Sequence, residues 1–103
     1  RRDIEGYAKA LEYFDTRLSD LFLTMKDDDV LFITADHGCD PSWPGTDHTR
    51  EYVPILAYKK NTHQQTNFEL GHRNTFADLG QTLCEMFKLD KMEYGESFLK
   101  RLV

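Results

Sequence analysis

Apolar positions recur at spacings of three and four over residues 3–25: Ile4, Tyr7, Ala8, Leu11, Phe14, Leu18, Leu21, Phe22 and Met25. Lys9, Glu12, Asp15, Arg17 and Asp20 fall between them. That period predicts one amphipathic helix, with Gly6 weakening its first turn. Lys26-Asp27-Asp28-Asp29 then breaks the pattern as a charged, solvated corner. Residues 30–35, VLFITA, are apolar without alternation and rich in β-branched and aromatic types, which suits a strand buried on both faces, as in a parallel sheet. Residues 52–58 repeat the type. Pro54 near their start lacks an amide donor, so that end is expected at a sheet edge or at the first residue of the strand. Residues 36–51 form a long connection, a kind that often carries function in compact domains. Residues 61–73 are polar and irregular. A second helix is predicted over residues 74–88, with Thr75 and Asp78 spaced as in a capping box. Phe76, Leu79, Leu83, Met86 and Phe87 are its expected buried face, and a short third helix is predicted over residues 92–102.

The predicted order is helix, strand, long loop, strand, helix, helix. Two buried strands cannot cover both faces of a sheet or satisfy each other's outer edges. A parallel pair also needs a substantial crossover, which the loop does not supply. The expected fold class is therefore α/β, with residues 1–103 forming part of a larger core sheet flanked by helices. The expectation is that the chain is the C-terminal part of a longer protein.

Composition narrows the function. The chain has 103 residues, is 40% hydrophobic and 30% charged, and carries a net charge of −5. It is the size of one small domain and apolar enough to fold. A negative balance argues against a surface built for nucleic acid, which needs clustered Lys and Arg. No apolar segment reaches membrane-spanning length, so no membrane partner is expected. Cys39 and Cys84 lack metal-type spacing and read as free thiols in a reducing compartment. The chain opens on Arg1-Arg2-Asp3 with neither an initiating Met nor a signal-peptide pattern. The expected location is cytoplasmic.

The chemistry concentrates in TADHGCDPSWPGTDHTREYVPIL, residues 34–56. Asp and His together suit divalent ions such as Mn²⁺, Zn²⁺ or Fe²⁺. Consecutive strand side chains point to opposite faces, so Asp36 and His37 converge only if the chain turns, which Gly38 permits. Pro41, Pro44 and Gly45 shape a stiff loop that can return His48 to the same place. The C-terminal ends of strands in open α/β sheets are common ligand sites. A lone Asp-His pair is more often an ordinary polar loop. The strand end, glycine turn, rigid loop and returning histidine together favour a site.

The segment TADHG followed by DPSWPGTDHTREYVP resembles the metal-binding motif of phosphopentomutases, in the alkaline phosphatase superfamily. RRDIEGYAKALEYFD and LGHRNTFADLGQTL are similar to the same family. The resemblance implies the C-terminal portion of a metal-binding core domain, with the N-terminal core and the cap domain absent. It implies an enzyme with two metal ions, usually Mn²⁺, that interconverts (deoxy)ribose 1-phosphate and (deoxy)ribose 5-phosphate through a phosphothreonine. Asp36 and His37 would bind one ion and His48 the other. The nucleophilic threonine and the remaining ligands would lie upstream, so no catalytic nucleophile is expected here and the segment alone should be inactive. The implied partners are the pentose phosphate and the rest of the protein's own core and cap domains. Cys39 departs from the family's usual Asn.

Other residues have two readings each. Asp47 either orients a ligand histidine or makes a turn. Arg50 either binds phosphate or, the favoured reading, pairs with an acid such as Glu51. His72, before a helix in Gly-His-Arg, could approach an anion, though that is the less favoured reading, and His63 is expected to be solvated. Trp43 is expected to anchor the loop by packing, and Cys84 to lie inert in the core. The rival functions are another phosphatase or phosphoglycerate mutase of the same superfamily, or a non-catalytic metal-binding or interaction domain.

Overall fold

A computed structural model describes residues 2–60 and 69–102 of the chain. The chain divides into two compact units, Arg1–Asn61 and Thr62–Val103.

In the first unit, helix α1 spans Ile4–Thr24. Asp3 caps it: its Oδ1 accepts the Gly6 N–H at 2.9 Å, satisfying one of the orphan amides of the first turn. The helix ends at Met25, whose N–H still reaches the Leu21 carbonyl. The acidic corner is then closed by Asp29, whose carboxylate accepts the Lys26 N–H at 2.8 Å. Strands β1 (Val30–Thr34) and β2 (Ile55–Lys59) pair antiparallel, from Val30 opposite Lys59 to Thr34 opposite Ile55. The expectation of parallel-type, doubly buried strands is thus corrected. Without a crossover the chain can only bring the end of β1 beside the start of β2, and the two run in opposite directions. Neither strand is fully buried, and Leu56 on β2 is exposed. Pro54 sits immediately before β2, where its missing donor breaks no ladder bond. Its carbonyl accepts the Thr34 hydroxyl at 2.8 Å, which ties the two strand ends together where the loop begins.

Helix α1 packs lightly on this ribbon. The rings of Phe22 and Tyr58 lie 4.5 Å apart. A groove of about 730 Å³ remains between the helix and β1, lined by Phe14, Leu18, Leu21, Leu31 and Ile33 among others. No residue of α1 is buried, and among the described residues of this unit Met25 is the one buried apolar side chain. The apolar stripe was legible in the sequence, but the described residues do not cover it.

In the second unit, helix α2 spans Ala77–Met86, starting three residues later than predicted. The capping box does not form. Thr75 Oγ1 accepts the Ala77 N–H at 3.1 Å, but the Asp78 carboxylate turns elsewhere. The helix ends in a Schellman turn: Leu89 N–H reaches the Cys84 carbonyl at 2.8 Å and Lys88 N–H the Glu85 carbonyl at 3.2 Å. Lys88 takes the left-handed position, φ 56°, that glycine usually fills.

The predicted third helix is absent except for a 3₁₀ turn, η1, at Leu99–Arg101. Instead, residues 92–98 run alongside α2 and are bound by its polar side chains. Gln81 donates to the Met92 and Tyr94 carbonyls at 2.5 and 2.7 Å and accepts the Met92 N–H at 3.2 Å. Asp78 accepts the Glu96 N–H at 2.9 Å. Thr82 Oγ1 accepts the Phe98 N–H at 3.0 Å and donates to the Asp78 carbonyl at 2.8 Å. These partners fall at every second residue of a segment that bends at Glu93 and Tyr94. The Met92, Glu96 and Phe98 amides so bound are not available to a helix. Gly95 (φ 93°) fits because a Cβ there would meet Ala77 backbone.

The core of this unit is therefore partly polar: Asp78, Gln81, Thr82, Phe98 and Leu102 are buried. Arg73 pairs with Asp78 at 3.5 Å and lies over the Phe98 ring, 5.2 Å from its centroid. The expected apolar face of α2 is corrected: Phe76 is 62% and Phe87 68% exposed, and Leu83 is also exposed. Cys84 is half-buried rather than a core residue, and both cysteines are free thiols.

Candidate metal centre

Strand β1 delivers Asp36 and His37 to a bend just beyond its end. The loop then turns at Asp40-Pro41-Ser42-Trp43, where Trp43 N–H donates to the Asp40 carbonyl at 3.1 Å. Proline fits the second position of such a turn and Asp the first. Asp40 Oδ1 also accepts the Ser42 hydroxyl at 2.6 Å and the Ser42 N–H at 2.9 Å. These two bonds, the hydroxyl first, hold the Asp40 carboxyl below its usual 3.8. Trp43 is 59% exposed and does not anchor the loop, contrary to expectation; the Asp40 side chain shapes the turn instead.

The returning arm meets the outgoing one at a single antiparallel bridge, Gly38 with Thr49, where Thr49 N–H donates to the Gly38 carbonyl at 3.3 Å. The loop is thus locally paired rather than structureless. The structure brings three of the candidate residues together. The His37 and His48 rings stack with centroids 3.5 Å apart and planes within 6°. His37 Nε2 lies 3.4 Å from Asp36 Oδ1. His37 Nδ1 lies 2.7 Å from the Gly38 carbonyl. A carbonyl only accepts, so this contact places a proton on Nδ1 and leaves Nε2 with its lone pair in the neutral ring. That arrangement is common for ligand histidines, whose second nitrogen donates to a carbonyl.

The donors fit a divalent ion in type and spacing. Two ligand atoms each ~2.1 Å from one ion at a tetrahedral angle are about 3.4 Å apart. The Asp36 carboxylate and His37 Nε2 match that bite, and Asp36, 90% exposed at its side chain, is open to further ligands. The same approach is an ion pair when the imidazole is protonated. Stacked rings keep their in-plane lone pairs in two separate, nearly parallel planes, so His37 and His48 do not aim at one point. Among the described residues, no group of three or more His, Cys, Asp and Glu is arranged to hold a metal.

The remaining candidates separate from this cluster. Asp47 is exposed and makes no hydrogen bond to either imidazole among the described residues. Arg50 is exposed and makes no ion pair among them; Glu51 instead takes the Thr49 hydroxyl. His72 is exposed in the second unit, and His63 lies outside the described residues. Sequence reasoning missed the Thr49–Glu51 contact. Its only sequence signal is the two-residue spacing that puts both side chains on one face of an extended arm.

The strand pair thus ends in a bend that carries Asp36 and His37, with a second histidine brought back against the first. The Metalloenzyme superfamily model matches residues 1–91, and the chain belongs to that superfamily, whose α/β core is of the alkaline-phosphatase type. The chain is similar to the phosphopentomutase of Shewanella woodyi, 62% identical over 100 residues, covering 97% of this chain and 24% of that protein. The phosphopentomutases of Shewanella sediminis and Colwellia psychrerythraea are each 59% identical, over 100 and 102 residues. The chain spans about a quarter of the length of these relatives (24%). Among the described residues, no helix is long and apolar enough to cross a membrane.

Proposed function

We propose that this chain is the C-terminal core segment of a phosphopentomutase, an isomerase of pentose phosphates, and supplies part of its two-metal site. The carrying observation is the 62% identity to a phosphopentomutase along nearly the whole chain, with Asp36, His37 and His48 clustered in one loop. On this reading Asp36 and His37 serve one ion and His48 the other. Non-convergent, stacked imidazoles suit ligation of separate ions better than a shared one.

Asp36 and His37 would hold one divalent ion and His48 the other, Mn²⁺ on the family pattern, and such ions would supply positive charge to stabilise a transferring phosphoryl group. The chain's own residues prepare for this. The Gly38 carbonyl fixes the His37 tautomer so that Nε2 faces the Asp36 carboxylate. The Asp40 turn and the Gly38–Thr49 bridge return His48. The phosphoryl carrier, a threonine, and the other ligands belong to the remainder of the protein, as does the cover for the apolar stripe of α1. The reaction interconverts (deoxy)ribose 1-phosphate and (deoxy)ribose 5-phosphate in the cytoplasm, in pentose phosphate and nucleotide salvage. An acidic protein binds these anions because the ions reverse the local charge.

The test uses the complete enzyme. His37→Ala is expected to abolish Mn²⁺-dependent conversion of ribose 1-phosphate to ribose 5-phosphate while circular dichroism stays unchanged. His63→Ala should retain activity. Equal loss in both variants would refute the ranking of the histidines.

A further inference from the structure

We propose that Thr49 is the positioning residue that holds His48 against His37, with Glu51 orienting its hydroxyl. The inference rests on the reading of Asp36, His37 and His48 as metal ligands. Antiparallel pairing of Gly38 with Thr49 sends their side-chain positions to one face, and those of His37 and His48 to the other. The bridge therefore sets the face on which the imidazoles meet. Its one backbone bond, at 3.3 Å, lies beyond the usual 2.7–3.2 Å range and is weak.

The second link between the arms is the Thr49 hydroxyl. It accepts the Asp40 N–H at 2.7 Å and gives its own proton to the Glu51 carboxylate. Because Glu51 takes the proton, the lone pairs of Oγ1 are directed across the gap to Asp40. Gly38 completes the clip. A Cβ there would stand 2.6 Å from Glu51 N and 2.7 Å from Thr49 O, and would also strike the Glu51 carboxylate. Backbone atoms cannot yield at those distances, so the arms close only over glycine. Residues that orient metal ligands without touching the ion commonly matter to affinity about ten- to a hundredfold.

The experiment measures Mn²⁺ binding to the complete enzyme by titration calorimetry, alongside kcat at saturating Mn²⁺. Thr49→Val is expected to weaken Mn²⁺ binding roughly tenfold or more, with turnover recovering at saturating metal. Thr49→Ser keeps the hydroxyl and should bind as the wild type does. Should Thr49→Val not fold, Glu51→Ala, which removes the acceptor of the Thr49 hydroxyl, is read in its place, with weakening in the same direction expected. His48→Ala separates the two layers of reasoning. If His48→Ala loses affinity and Thr49→Val does not, the clip is refuted and the metal reading stands. If His48→Ala binds Mn²⁺ normally, the metal reading fails and takes the clip with it. Equal weakening by Thr49→Val and Thr49→Ser also overturns the proposal, since the hydroxyl would then be irrelevant.

Discussion

Thr82 offers a sharp test of the polar core in the second unit. It is 0% exposed, and its hydroxyl joins two pieces of chain, accepting the Phe98 N–H and donating to the Asp78 carbonyl. Thr82→Val keeps the shape and adds a methyl in place of the hydroxyl, so packing alone predicts no loss. The hydrogen-bond inventory predicts otherwise. The Asp78 carbonyl keeps its helical partner, but the Phe98 amide loses the acceptor that Thr82 supplies, a cost of about 1–3 kcal/mol. At 1.4 kcal/mol per decade, protection of that amide from hydrogen exchange should fall roughly 5- to 150-fold. Thr82→Ser keeps the acceptor and deletes one methyl, about 0.5–1.5 kcal/mol by analogy with Ile→Val. Native-state exchange, resolved at the Phe98 amide in the complete enzyme, distinguishes the two. Selective loss at Phe98 in Thr82→Val, with Thr82→Ser close to the wild type there, is expected. Unchanged Phe98 protection in Thr82→Val would refute the assignment of that hydroxyl as the acceptor that matters.

Three further outcomes follow from other features. Asp40 has a folded pKa held below 3.8 by Ser42, so its contribution to the turn is present above the ordinary carboxylate range and is lost as pH falls through the lowered value. Ser42→Ala removes the hydroxyl, the larger cause of the lowering, so an NMR titration should show the Asp40 midpoint rising; an unmoved midpoint would contradict the stated cause. Lys88→Gly relieves a left-handed residue at the end of α2, where a non-glycine costs roughly 1 kcal/mol, and should raise the thermal midpoint of the enzyme; a lower midpoint would show that Lys88 makes compensating contacts. Residues 1–103 expressed alone, given Mn²⁺ and a bisphosphate activator, should not form ribose 5-phosphate above the metal-only blank, because Asp36, His37 and His48 are too few ligands for two ions at about three per ion; measurable turnover would mean that this segment holds its own phosphoryl carrier.

Much of the local structure was written in the sequence. The three-and-four spacing of α1 fixed its extent to within a residue at each end, because helical periodicity depends only on near neighbours. The apolar runs marked both strands, and Asp36, His37 and His48 stood out as ligand types around a glycine and a stiff loop. Strand direction, by contrast, depends on how a connection closes, and periodicity carries no trace of it. The second unit shows the same limit. Residues 92–102 have a helical pattern, yet Gln81, Asp78 and Thr82 of α2 take backbone groups of Met92, Tyr94, Glu96 and Phe98 and hold that stretch out of an α-helix. Tertiary hydrogen bonds overrode local propensity because they satisfy the same amides a helix would have used. At the site, sequence supplied the donors. Only the fold laid one imidazole on the other, because the Gly38–Thr49 bridge that aligns them depends on how the eleven-residue return closes, which residue spacing does not record.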